Sequence, residues 1–263
     1  MTELIDRFRR LHQSGCFVIP NPWDAGSAHL LARLGFQALA TTSSGFAWSM
    51  ARRDHGVTLD EVLAHLRAVS SAVDVPVSAD FEGGFGVEPE EVARNVAAAA
   101  ATGIAGLSVE DSTGDAVHPL FDFELAVERI RVARAASDIV LTARSEGFVA
   151  GRPDLQETIR RLLAYAEAGA DCLFAPGLRS VDDIAAIVKA VAPKPVNVLV
   201  GSSFTTVDEL ARIGVRRISV GGALARVAWG GFLRAAREIA EKGTFSALAD
   251  AVPGVELNGM FEE

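Results

Sequence analysis

Apolar positions along this chain fall into short runs separated by stretches of helical spacing. Residues 16–20, 37–41, 75–80, 106–109, 139–143, 171–175, 195–200 and 217–220 are the runs, bounded by Gly, Pro or polar residues. Continuous rather than alternating apolar runs of this length are expected of parallel strands covered on both faces. Between them the 3.6-residue period predicts helices. An amphipathic segment, MTELIDRFRRLHQSG, opens the chain, and residues 25–34 form a helix that stops at Gly35. Thr58 with Glu61 three residues on has the spacing of a capping box. Further helices follow over 89–102, 123–136, 155–168, 181–191 and 206–213. The remainder is amphipathic and helical to about Asp250, then a proline-glycine tail. Residues 41–45 and the stretch carrying Trp48, Arg52, Arg53, Asp54 and His55 read as one long loop.

Strict alternation of strand and helix implies parallel strands joined by right-handed crossovers. No linker or shift of composition divides residues 1–263, so a single domain is expected. An α/β fold of the (β/α)8 TIM-type barrel class is typically ~250 residues long, close to the 263 here. The open doubly wound alternative needs a glycine-rich phosphate loop after the first strand. Asn21-Pro22-Trp23-Asp24-Ala25-Gly26 is not one.

A net charge of −9, with a pI near 5.1, argues against a nucleic-acid or anionic-membrane partner. Cys16 and Cys172 lie in apolar runs without motif spacing, as expected of packed thiols in a reducing compartment. The opening helix lacks the charged start and apolar core of a signal peptide, and no apolar run reaches spanning length. A cytoplasmic protein is the expectation.

Chemistry in a barrel sits on the loops after the strands. Those loops here carry Asn21 and Asp24; Ser43, Ser44, Gly45 and Asp54; Asp80 and Glu82; Glu110 and Asp111; then Arg144 and Glu146. Asp54, Asp80, Glu82 and Glu110 converge on one mouth, and such a cluster calls for a cation. An all-oxygen donor set suits a hard ion such as Mg2+ or Mn2+. Arg144 either pairs with those acids or forks onto an anionic substrate. Ser44 and the Gly45 N–H are donors of the kind that hold a developing oxyanion. Asn197 is a polar residue within the otherwise apolar seventh strand. His29, His55 and His118, like Trp23 and Trp48, are more economically read as solvated or packing residues. Lys189, Lys194 and Lys242 all fall outside the usable strand ends, which disfavours a Schiff base.

The motifs Asn21-Pro22-Trp23-Asp24-Ala25-Gly26, Thr42-Ser43-Ser44-Gly45, Asp80-Phe81-Glu82-Gly83-Gly84-Phe85-Gly86, Val109-Glu110-Asp111, Ala143-Arg144 and Lys194-Pro195-Val196-Asn197 occur in this order. Together they resemble the isocitrate lyase / phosphoenolpyruvate mutase superfamily over roughly residues 10–235. The resemblance implies a barrel whose eighth helix is exchanged between subunits, with helices from about 225 packing on a partner in a dimer or tetramer. It implies Mg2+-dependent chemistry on a small α-oxo carboxylate, breaking or making a C–C or P–C bond. Asp80 resembles the direct metal ligand, and Glu82, Glu110 and Asp54 the acids that hold its waters. Ser43, Ser44, Gly45, Arg144 and Asn197 resemble substrate-binding groups, with Arg144, Ser44 and Asp54 placed closest to the chemistry. Isocitrate and methylisocitrate lyases carry a Lys-Lys/Arg-Cys-Gly-His loop after the fourth strand. Residues 112–118 here read Ser-Thr-Gly-Asp-Ala-Val-His, without cysteine or lysine, so those two activities are not expected. A decarboxylase-like lyase acting on a substrate such as oxaloacetate is. Phosphonopyruvate hydrolase or phosphonate mutase chemistry, and a barrel that binds oxo acids without turnover, are the alternatives.

Overall fold

A computed structural model describes residues 2–262; Met1, the expected start of the first helix, and Glu263 lie outside the described residues. Eight parallel strands form one sheet: β1 (Phe17–Ile19), β2 (Leu39–Ala40), β3 (Val77–Asp80), β4 (Gly106–Glu110), β5 (Val140–Arg144), β6 (Cys172–Phe174), β7 (Val196–Leu199) and β8 (Arg217–Ser219). Their order, β1-β8-β7-β6-β5-β4-β3-β2, leaves only β1 and β2 as ends, and Ala40 N donates to Pro20 O across that seam at 3.1 Å. The result is a nearly closed (β/α)8 barrel.

Around it run α1 (Thr2–Leu11), α2 (Ala25–Arg33), α3 (Ser43–Ser49), α4 (Leu59–Ser71), α5 (Pro89–Ala100), α6 (Phe123–Ala136), α7 (Leu155–Glu167), α8 (Val181–Val191), α9 (Val207–Arg212), α10 (Ala223–Lys242) and α11 (Gly254–Gly259). Local chemistry sets the starts. Thr58 with Glu61, and Thr206 with Glu209, form the reciprocal capping boxes of α4 and α9, and Pro89 opens α5. Outward-facing Val77, Ala79, Leu107, Val109, Leu141, Ala143 and Leu173 are buried under the helices. Beneath the barrel lies α1, whose Phe8 is fully buried against Gly106. A Cβ at Gly106 would come within 2.7 Å of that ring and of Val140 O, which is why the position is glycine.

Two expectations are corrected. Residues 43–49, Trp48 included, are not loop but α3. Thr42 accepts from Gly45 N as N-cap, so the hydroxyl-rich sequence is a helix start rather than a turn. Nor is the C-terminus a bare tail: after a 3-10 turn (Ser246–Asp250), α11 brings the chain back onto α2. There His29 Nε2 meets Met260 O at 3.2 Å, and its ring stacks on Phe261. No helix among the described residues is long and apolar enough to cross a membrane.

Candidate active site

Alternation along β5 turns Thr142 and Arg144 into the barrel, one pleat apart. Ser78 and Asp80 on β3, and Ser108 and Glu110 on β4, follow the same rule, giving a layer of small hydroxyls beneath a layer of charge. Arg144 is the centre of the upper layer. Its Nη1 lies 2.8 Å from Asp80 Oδ1, and its Nη2 lies 3.0 Å from Glu110 Oε2 and 2.8 Å from Glu146 Oε1. Its Cζ stands 5.3 Å from the centre of the Phe174 ring. Burial opposes the guanidinium charge, but Glu110, Glu146 and Asp80 outweigh it and hold the pKa above the ordinary arginine value. Burial in turn pushes the Glu110 carboxyl up to about 8 and raises Glu146 as well, against the pull of Arg144.

Asp80 is held on all sides. Its N–H donates to Thr41 Oγ1 (3.0 Å), and its Oδ2 accepts from Ser43 N (3.0 Å) at the start of α3. Glu82 follows in a left-handed conformation (φ +47°). Its Oε2 lies 3.0 Å from His55 Nδ1, while its Oε1 is buried with no hydrogen-bond partner. The Glu82 bond raises the His55 pKa to about 9, against burial. Asp54 is exposed, and its Oδ1 accepts from His55 N (3.2 Å). Glu146 N donates to Asp111 Oδ1 (2.7 Å), and the other Asp111 oxygen takes Arg161 Nη1 (3.1 Å) and Tyr165 OH (2.7 Å). Asp111 thereby fixes the backbone that carries Glu146.

Two cavities border these acids and share Asp54. One of about 220 Å³ runs down the barrel axis past Asp54, Ser44, Asp80, Arg144, Asn197 and Arg217. The other, about 610 Å³, opens sideways past Asp54, His55, Glu82, Glu110 and Phe121. The structure thus gathers Asp54, Asp80, Glu82, Glu110 and Arg144 at one place, but the acids lean on Arg144 and His55 rather than on one another. No group of three His, Cys, Asp or Glu side chains is set close enough to cage a metal among the described residues.

Four expectations change at atomic detail. The Gly45 N–H is engaged by Thr42 Oγ1 (3.4 Å), and the Ser43 N–H by Asp80; the hydroxyl-bearing residues Thr42, Ser43 and Ser44 line the cavity, with Ser44 Oγ 3.1 Å from Thr42 Oγ1. Asn197 faces the cavity, but its amide donates to Ser219 Oγ (2.9 Å) and its carbonyl accepts from Arg217 Nε (2.9 Å). His55 is not simply solvated, being bonded to Glu82. Asp24, named at a strand exit, caps α2 through Ser27 instead. Sequence reasoning also passed over Arg217 and Arg129. Arg129 could have been found: it falls among Ala126, Val127, Ile130 and Ala133 on the buried face of α6.

The donor chemistry and order of these strand ends match a known group. The family model for phosphoenolpyruvate phosphomutase matches residues 8–240. The chain belongs to the isocitrate lyase / phosphoenolpyruvate mutase superfamily. An uncharacterized Mycobacterium tuberculosis protein, Rv1998c, is 34% identical over 218 residues, 81% of each chain. A putative lyase/mutase from Burkholderia cenocepacia J2315 superposes with a TM-score of 0.95 at 48% identity, over 99% of this chain and 96% of that one. Oxaloacetate acetylhydrolase in complex with its product oxalate gives 0.85 at 26% identity (97% and 93%). Phosphonopyruvate hydrolase in complex with oxalate and Mg2+ gives 0.84 at 28% identity (97% and 94%).

Proposed function

We propose that this chain is a Mg2+-dependent lyase that cleaves a C–C bond of a small α-oxo carboxylate such as oxaloacetate. The observation that carries the reading is the buried Arg144, spread across Asp80, Glu110 and Glu146 on the wall of a cavity open to the strand ends. The residues fit a hard divalent cation. Asp80, Glu82, Glu110 and Asp54 are an all-oxygen donor set, and the unpartnered Glu82 Oε1 is a buried acceptor of the kind such an ion or its waters engage. Mg2+ (or Mn2+), held by these four directly or through water, would polarise the oxo oxygen. The fork of Arg144 suits the substrate carboxylate, leaving Glu146 to compensate its charge. Ser44 Oγ donates to the oxo oxygen as charge develops there during loss of CO2, which leaves the enolate of pyruvate. That carbon then takes up one proton. Decarboxylation of this kind needs no base to begin, in keeping with residues 112–118 lacking cysteine and lysine.

Oxaloacetate turnover is expected to require Mg2+ and to fall at least a hundredfold in Asp80→Ala and Arg144→Ala, given ~3 kcal/mol or more for a lost buried charge partner. Full turnover by EDTA-treated protein refutes the proposal. The match to the phosphomutase model supports a second reading, cleavage or rearrangement of a P–C bond, which phosphorus NMR with phosphonopyruvate distinguishes. Mg2+-dependent oxalate binding without turnover of either substrate would identify a binding barrel.

The same reading extends to assembly. In α10 only Ala225 is buried, while Val227 and Phe232 are 72% and 60% exposed. We assign the exposed α10 to contact with a second copy, in a homodimer or homotetramer with α10 exchanged. Light scattering at micromolar concentration checks it, and a monomer there is the contrary result.

A further inference from the structure

The four acids at the strand ends fall into two pairs, each gathered by one basic residue. Arg144 takes Asp80 and Glu110 through its guanidinium, at 2.8 and 3.0 Å. His55 takes the other two: its Nδ1 lies 3.0 Å from Glu82 Oε2, and its backbone N–H donates to Asp54 Oδ1 at 3.2 Å. Among the described residues the His55 contact is the one hydrogen bond of the Glu82 side chain, whose Oε1 is buried and unpartnered. Asp80, in contrast, is fixed by Ser43 N as well as by Arg144. Both partners of the bond stand in the left-handed region, His55 at φ +60° and Glu82 at φ +47°. Residues other than glycine stay there only where surrounding structure enforces it, and such strain gathers at functional sites. The pair borders the cavity of about 610 Å³ together with Asp54 and Glu110.

We propose that His55 is a positioning residue for the divalent-cation site: by holding Glu82 and Asp54 in place beforehand, it raises the affinity of the site for the ion. The inference rests on the proposed function for the assignment of these acids to Mg2+. A glutamate has three side-chain torsions, and freezing them on binding costs affinity unless they are already fixed. The Nδ1–H of His55 fixes Oε2 and leaves Oε1 open as an acceptor. Arg144 cannot take over, since its guanidinium is shared among Asp80, Glu110 and Glu146. The role requires an N–H at that point and nothing of the ring beyond it.

Mn2+ binding tests this, read without turnover from the electron paramagnetic resonance signal of the free ion. His55→Ala is expected to weaken binding about tenfold, the scale of ordering one glutamate side chain. His55→Asn is expected to stay within about threefold of the wild type: its Nδ2 is as many bonds from Cβ as the imidazole Nδ1, and asparagine accepts the left-handed backbone. In a Glu82→Ala background, His55→Ala is expected to add less than about twofold, because the histidine acts through that carboxylate. A merely structural histidine would lower thermal stability and leave Mn2+ affinity alone, so wild-type affinity in H55A overturns the inference. So does an H55N as weak as H55A, or an undiminished loss in the Glu82→Ala background. Should H55A fail to fold by circular dichroism, H55F decides, because it keeps a ring and loses the donor: the same loss supports the inference, and affinity within about threefold of the wild type overturns it. A wild type that binds no Mn2+ overturns the metal reading and this inference with it, whereas the other contrary results leave the metal reading standing.

Discussion

Replacing Arg129 with methionine should loosen the loop that carries Glu82. The guanidinium, 1% exposed, donates through Nη1 to Gly86 O and Val87 O, both at 2.6 Å, and through Nη2 to Gly83 O. It also lies 4.0 Å over the Phe121 ring. Hydrogen bonds from a charged donor contribute ~1.5–3 kcal/mol each, so three set an upper bound near 5–9 kcal/mol. Two effects reduce it. Gly83, Gly86 and Val87 border the side cavity, so water can reach their carbonyls once the arginine is gone. Arg129 also pays for its own burial, which lowers its pKa to about 10, and methionine removes that penalty. A net loss of about 3 kcal/mol remains. At ~2.1 cal/mol/K per residue, that is ~5 °C in Tm for a chain of this length. Differential scanning fluorimetry reads the shift, and hydrogen exchange should show residues 83–87 losing more protection than the strands. A Tm within 1 °C of wild type, with unchanged exchange over 83–87, refutes the reasoning.

Asp111→Asn removes a buried acceptor shared by Arg161, Tyr165 and the Glu146 N–H; a loss of about 3 kcal/mol is expected, measured by urea unfolding. Acid sensitivity provides a further check. Burial and the neighbouring Arg217 push the pKa of His12 down to about 3, since the histidine can accept from that arginine only while neutral. A folded pKa below the unfolded value near 6.5 contributes stability that is complete above pH 6.5 and is lost as the pH falls toward 3. His12→Gln should therefore flatten the dependence of stability on pH below 6.5 by about 1.4 kcal/mol per unit; parallel profiles for the two proteins would count against it.

How far the chain could be read depends on the range of the interaction involved. The stretch from Val75 to Gly86 was legible because a strand buried on both faces leaves a continuous apolar run, and a parallel barrel puts every such exit at one end. Asp80, Glu110 and Arg144 could therefore be brought together without knowing a single distance. The start of α3 was missed because Thr42 and Ser43 are equally good turn and N-cap residues, and the deciding contact, Ser43 N to Asp80 Oδ2, spans 37 positions. His55 and Glu82 are 27 apart on different loops, and nothing in either loop's composition announces their bond. Arg217 escaped for another reason. At the edge of an apolar run it looks like a strand boundary, and only the barrel's curvature turns it inward onto Thr142.

The backbone gives the acid site a mark independent of its charges. Among the described residues, the non-glycine residues at positive φ are Ala51, His55, Glu82 and Phe85. All four belong to the two loops that the His55–Glu82 bond joins. Each such conformation costs of the order of 1 kcal/mol or more and persists only where surrounding structure enforces it. The braces are visible. Arg52 Nη1 reaches Gly56 O (3.3 Å) and the Glu61 carboxylate that caps α4, fixing the first loop. Asn95 Nδ2 donates to Gly84 O and Phe85 O, both at 3.0 Å, and Arg129 takes the remaining carbonyls of the second. Neither brace touches the acids. Their effect is to hold Asp54 and Glu82 in an arrangement the chain would otherwise relax, at the opposite rim from the unstrained exits of β5 to β8. A barrel that needed these loops only for closure would have no reason to concentrate its strain beside an unpartnered, buried carboxylate oxygen.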